Sequence, residues 1–236
     1  MPRKHLIASG INKKQQQQSK IWMKCAKEIK AAAKVGGPNP DANPRLKAAI
    51  QRALQNNLSR DSIQKNINGA SKDSESLKEI FYEGYGPKGI AIIVKALTDN
   101  EQRTISNVRG YFSKLHGEIS KPNSVKMLFN EYGVFLISKS NIDENKILEL
   151  TMDCNVVDVI DYDSYYELLV ETQDFYKVKN IFDEHSIQIE SFEIKHIPID
   201  EIEISDEDKI KLDRFFDSCE DDDDVQIVIS NVKDYY

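Results

Sequence analysis

The chain has 236 residues, 40% hydrophobic and 30% charged, with a net charge of −7, a composition that supports an ordinary globular core in one to three domains. No apolar run approaches the ~18 residues that span a bilayer, and the opening Met1–Ile7 is basic without an apolar h-region, so neither membrane insertion nor secretion is expected and the expected location is cytoplasmic. Cys25, Cys154 and Cys219 are far apart, and His5, His116, His185 and His196 miss helical ligand spacing, which predicts free thiols and no metal site.

In chain order, residues 1–19 read as a flexible basic arm ending in a glutamine tract. A helix is predicted from about Ser19 to Val35, on the recurrence of Ile21, Cys25, Ile29 and Ala32/Ala33, and Gly36-Gly37-Pro38 stops it. Asn43 and Pro44 suit the cap and first turn of a second helix with Leu46, Ala49, Ile50, Ala53 and Leu54 on one face. Ser59 caps a third, where Leu58 and Ile63 are spaced for a hydrophobic staple.

From about residue 78 the pattern changes. Residues 79–82 and 90–94 read as strands, 105–115 as a helix ending at Gly117, and 125–129 as a strand. After Gly133 the predicted order is strand 134–138, helix 143–153, strand 156–161, strand 165–171, helix 173–184 and strand 187–196, a ferredoxin-like βαββαβ unit. A helix capped by Ser205 and a strand at 225–229 follow; they are too little for a core of their own and are expected to return to the middle domain. The fold class is α+β. A helical nucleic-acid-binding domain (20–77) is followed by an α/β domain (78–132 plus 204–236), into which a ferredoxin-like domain (133–203) is inserted.

Gly84-Tyr85-Gly86-Pro87-Lys88-Gly89 matches a dinucleotide fingerprint literally, but a strand-like run follows where a helix is needed. It reads as a hairpin turn, and no cofactor is expected. The run Glu220-Asp221-Asp222-Asp223-Asp224 lacks the spacing and glycine of a calcium loop and reads as a solvated linker. No catalytic motif stands out, so no catalytic residue is assigned and an enzyme is not expected.

The net charge conceals an asymmetry. Residues 1–75 carry 15 Lys/Arg against 5 Asp/Glu, and residues 76–236 carry 17 against 34. Lys13, Lys14, Lys20, Lys24, Lys27, Lys30 and Lys34 recur at three- and four-residue steps, with Glu28 the one acid in the first forty residues. Arg45, Lys47, Arg52, Arg60 and Lys65 lie off the apolar stripes of the next two helices. Such cations neutralise phosphates and release counterions, which drives sequence-independent binding. These twelve residues are the candidate nucleic-acid contacts.

Several stretches in order resemble the YebC/PmpR family: Lys27-Glu28-Ile29 with Ala31–Lys34 and Gly36-Gly37; Asp41–Leu46; Asn56-Asn57 with Arg60-Asp61 and Ile63; Tyr82–Pro87; Thr98–Asn100 with Arg103-Thr104; and Phe112–Lys114. The resemblance covers the chain from about residue 20 to its end. It implies three α+β domains and a non-enzymatic regulator of gene expression, either a DNA-binding transcriptional regulator or a translation factor acting on ribosomal RNA, tRNA or the ribosome. The family's Gly-His-Ser-Lys-Trp opening is replaced here by Arg3-Lys4-His5-Leu6-Ile7. A protein-interaction adaptor that docks basic partners on its acidic domains is the further alternative. Sequence does not set the oligomeric state or choose between DNA and RNA.

Overall fold

The computed structural model describes residues 3–70, 77–140 and 142–236, with side chains from Gln17 onward. It shows an α+β protein whose described chain divides into two compact units, Met1–Ser124 with Ile204–Val228, and Val125–Glu203 with Ile229–Tyr236. The predicted helical and middle domains thus fall into one unit. The last eight residues, expected with the middle domain, fall with the ferredoxin-like one.

Helix α1 runs Arg3–Gly36, so the stretch expected as an arm is helical from Arg3. Glutamine is nearly as good a helix former as lysine, and no proline intervenes between Pro2 and Pro38. Helices α2 (Pro44–Gln55) and α3 (Arg60–Gly69) start as predicted, with the Asn43 side chain accepting from Leu46 N and that of Ser59 from Ser62 N. Cys25, Ile29, Ala32, Ala33, Leu46, Ala49, Ala53, Leu58, Ile63 and Ile67 form the shared core. Asn43 joins two helix ends: its Nδ2 donates to Ala32 O and Gly37 O, both at 2.9 Å. Gly37 makes the turn at φ +87°, a conformation that side chains disfavour. The Trp22 indole also donates to Asn56 O (2.9 Å), and Arg52 holds both Glu28 oxygens at 3.0–3.1 Å.

The first sheet has the order β3-β1-β2-β8, from β1 (Lys78–Tyr85), β2 (Ala91–Thr98), β3 (Glu118–Ile119) and β8 (Val225–Ser230). β1 and β2 pair antiparallel across Gly86–Ile90, closed by Gly86 N donating to Ile90 O at 2.7 Å. The glycine-rich motif is therefore a hairpin turn. Helices α4 (Glu101–Lys114) and α7 (Asp206–Glu220) meet through Phe112 and Phe215, whose rings lie edge to face 5.0 Å apart.

The second sheet has the order β5-β6-β4-β7 with every neighbour antiparallel, from β4 (Phe129–Ser138), β5 (Val156–Asp161), β6 (Tyr165–Glu171) and β7 (Ile189–Pro198). Together with α5 (Glu144–Leu150) and α6 (Phe175–Glu184) this is the βαββαβ unit, with Phe135, Ile137, Ile147, Leu168, Val170, Phe175, Val178 and Phe182 as its core. The strand predicted at 125–129 is instead a 3-10 turn, Lys126–Leu128, closed by Leu128 N donating to Val125 O at 2.8 Å. The strand predicted to begin after Gly133 begins earlier, and Gly133 lies inside β4. A Cβ there would sit 2.4 Å from Phe175, so the ring packs directly on the strand backbone.

All three cysteines are free. Cys219 has no exposed surface and Cys25 is 5% exposed. Burial raises both thiols, that of Cys219 to about 12. Since the thiolate is the nucleophile, iodoacetamide should modify only the half-buried Cys154 in the folded protein, the other two reacting after unfolding. Peptide mass mapping reads this, and native labelling of Cys219 at the Cys154 rate contradicts it.

Candidate nucleic-acid interface

The described lysines of α1, from Lys20 to Lys34, sit opposite its apolar stripe, as the periodicity requires, but those at positions 20, 24 and 27 face another part of the chain. The turn between α7 and β8 is the acidic run itself. Lys20 Nζ pairs with Asp221 Oδ1 at 2.6 Å, and Lys24 Nζ donates to Glu220 O at 2.9 Å. Lys27 Nζ donates to Asp223 O at 2.9 Å and pairs with Asp224 Oδ1 at 2.8 Å. Burial depresses the Lys24 ammonium below its ordinary pKa, against the opposing pull of Glu220, Asp222 and Asp223.

Asp224 anchors this contact. It is 4% exposed, and its second oxygen, Oδ2, accepts from Arg103 Nη2 (2.6 Å), Thr104 Oγ1 (3.1 Å) and Thr98 Oγ1 (3.2 Å). Burial alone would raise its carboxyl, but the hydrogen bonds from Lys27, Arg103 and Thr104 outweigh that and hold it at about 2. Next to it, Asp222 accepts from Asn107 Nδ2 (3.1 Å) and Tyr111 OH (2.9 Å). The run expected as a solvated linker is thus a bonded element, because lysines some 196–201 residues away neutralise it. Sequence reasoning missed Thr98, Arg103, Thr104, Asn107, Tyr111 and Asp224 as one network. The available signal was a five-acid run in the same chain as a lysine-periodic helix.

The other candidates divide further. Arg52 is held by Glu28, and Arg45 pairs with Glu79, which Lys95 also approaches at 3.2 Å. Lys30 and Lys34 have interactions of their own. Lys47, Arg60 and Lys65 are exposed on α2 and α3 and make no ion pair among the described residues. Lys13 and Lys14 are in α1, but their side chains lie outside the described residues. A cleft of about 570 Å³ adjoins the contact, lined by Lys20, Lys24, Asp217, Glu220, Asp221 and Gln226 among others. Among the described residues, no group of three or more His, Cys, Asp or Glu is placed to hold a metal ion, and no helix is long and apolar enough to cross a membrane.

Sequence profiles of known families match nearly the whole chain. The TACO1/YebC protein N-terminal domain matches residues 2–73, and the TACO1/YebC second and third domain matches residues 77–232. The chain belongs to the TACO1/YebC family. A TACO1/YebC relative from Ureaplasma urealyticum serovar 10 is 64% identical over 99% of both chains. Another, from Mycoplasma pneumoniae, is 44% identical over 98% of this chain and 99% of its own. Both carry the name "probable transcriptional regulatory protein". The TACO1/YebC fold also matches the crystal structure of a conserved hypothetical protein from Aquifex aeolicus. That match has a TM-score of 0.79 and 32% identity, and covers 92% of this chain and 90% of that one.

Proposed function

We propose that this TACO1/YebC protein is a non-enzymatic cytoplasmic regulator of gene expression that grips nucleic-acid phosphates with its helical segment. The observation that carries the reading is the set Lys47, Arg60 and Lys65, exposed cations without an acidic partner among the described residues. Among the other described lysines and arginines, more than half are in ion pairs. An unpaired surface cation keeps its full charge for a phosphate and releases a condensed counterion when one arrives. The names of the relatives support a regulator of transcription. The alternative within the same chemistry is a ribosome-linked translation factor, since RNA and DNA offer the same phosphates.

With three to five cations engaged, log affinity should fall with log salt at a slope of roughly −3 to −4.5. A slope near zero contradicts phosphate binding. Converting Lys47, Arg60 and Lys65 to Glu should weaken binding about 100-fold or more at 0.1 M salt, with the thermal midpoint nearly unchanged because all three are exposed. The DNA and RNA arms separate when the protein is sedimented with ribosomes through a sucrose gradient in the presence of excess duplex DNA. Retention on ribosomes, lost in the triple variant, makes it a translation factor. Release by DNA makes it a transcriptional regulator. Partner protein capture that survives the triple variant, with no nucleic-acid binding, is the adaptor outcome.

A further inference from the structure

The turn 220–224 occupies the cations that sequence alone marks as phosphate ligands. We propose that this turn is an intramolecular competitor for the α1 phosphate face, and that nucleic acid displaces its outer half to reach Lys20 and Lys24. The inference rests on the phosphate-binding reading above and adds regulation to that site.

The contact is unequal along its length, and that inequality is the basis for a gate rather than a fixed dock. At its inner end Asp224 is 4% exposed and accepts from groups on α1, β2 and α4 at once. Removing such a carboxylate leaves buried partners uncompensated, so this end stays closed. At its outer end the Asp221 side chain is 75% exposed and its partner Lys20 is 34% exposed. An ion pair that wet contributes little and is screened by salt. Lys24 donates to the Glu220 carbonyl and pairs directly with no carboxylate among the described residues, beside the 570 Å³ cleft.

The chemistry of the exchange is balanced. The outer turn offers Lys20 and Lys24 one carboxylate and one carbonyl, held by the fold. A phosphodiester strand offers the same two ammonium groups charged oxygens. Lys20 and Lys24 are four residues apart, about one helical turn or ~6 Å along α1, and both project toward the turn. Displacement costs the Lys20–Asp221 ion pair, the Lys24–Glu220 hydrogen bond and fraying of the end of α7, where Asp221 N donates to Asp217 O at 3.0 Å, and returns two charge-assisted contacts with counterion release. Asp222 stays bound to Asn107 and Tyr111, so the turn pivots about residues 222–224 without leaving the unit.

The test uses the full-length protein, with a 20-nucleotide single-stranded RNA and a duplex DNA of the same length as probes, titrated between 50 and 200 mM salt. Glu220→Gln with Asp221→Asn weakens the outer turn and leaves Asp222 and Asp224 in place. The expected result is affinity roughly tenfold higher at 50 mM salt with the wild-type slope, because Lys20 and Lys24 reach phosphates in both proteins and the wild type must first displace the turn. Adding Lys20→Ala and Lys24→Ala to that variant should abolish the gain in affinity and flatten the slope by roughly 2. A control, Glu144→Gln with Glu149→Gln in α5, makes the same change in net charge and should leave the affinity nearly unchanged.

No gain in affinity in the turn variant, or an equal gain in the control, overturns the gate while the phosphate-binding reading stands. Absence of salt-dependent binding by wild type and every variant overturns both. If only the RNA or only the DNA shows the gain in affinity, the gate holds and the responsive probe identifies the nucleic acid.

Discussion

Replacing Asp224 with Ala should lower stability by about 3–5 kcal/mol, the usual cost of removing one partner of a buried ion pair. Its carboxylate meets Lys27 and Arg103 and both threonines, Thr98 and Thr104. Without it, two buried hydroxyls lose an acceptor and Lys27 loses its carboxylate. Arg103 keeps Asp99 at 2.8 Å, so its charge is not stranded. Asp224→Asn keeps an oxygen for the threonines and should cost less than Ala. The pH dependence follows from the same group. Its folded carboxyl titrates at about 2, below the ordinary value of 3.8. A depressed acid stabilises the fold fully above its unfolded pKa, and that contribution is lost as pH falls through the folded one. The window is therefore about pH 4 down to pH 2, and the loss is about 2 kcal/mol. Urea midpoints recorded across that window should fall more steeply in wild type than in Asp224→Asn. Parallel curves would show that Asp224 is not the responsible group.

Asn43→Ala should be the next most damaging change, at about 2–4 kcal/mol. One part is the loss of an N-cap, ~1 kcal/mol. The larger part is the carbonyl of Ala32, which loses its donor in a buried setting at about 1–3 kcal/mol. Asn43 is itself only 4% exposed, so water has little access to replace the amide. Asp at this position keeps the cap to Leu46 N but turns a carboxylate oxygen toward Ala32 O and Gly37 O, where Nδ2 had donated, and should be no more stable than Ala. An Asp variant as stable as wild type would mean that the donated bonds contribute little. Chemical denaturation of the full chain measures all three.

The parts of this fold that could be read from sequence are those governed by neighbours. Asn43-Pro44, Ser59 with Leu58 and Ile63, and Ser205 each start a helix where the caps predict, because a cap acts within three residues. The alternation in 156–161 and 165–171 gave both strands at their observed bounds. The misreadings arose where tertiary context decides. A strand is predicted to begin only after Gly133, because the packing of Phe175, 42 positions on, leaves no local mark. The glutamine tract looks like an arm because composition does not report helix length. The candidate site divided in the same way. Helical periodicity placed Lys20, Lys24 and Lys27 on one side of α1, and that side does carry them. What they face lies almost 200 residues away, and no local pattern encodes a pairing at that separation. Seven of the twelve candidate cations are engaged by, or interact with, other groups of the chain, so a count of charges overstates the surface offered to phosphates.

The interrupted first unit also has a consequence in time. Its helices and first three strands are complete by Ser124, yet α7 and most of β8 arrive only with residues 204–228. The final eight residues close the second unit instead, with Ile202 N donating to Asn231 O at 2.9 Å and Ile202 bridging Val232. At a synthesis rate of about 5–20 residues per second, the acidic turn follows the lysines of α1 by ~10–40 s. A nascent chain therefore passes through a stage in which α1 is made and its lysines are uncovered. The covering of the most basic helix thus waits for residues 220–224 to leave the ribosome.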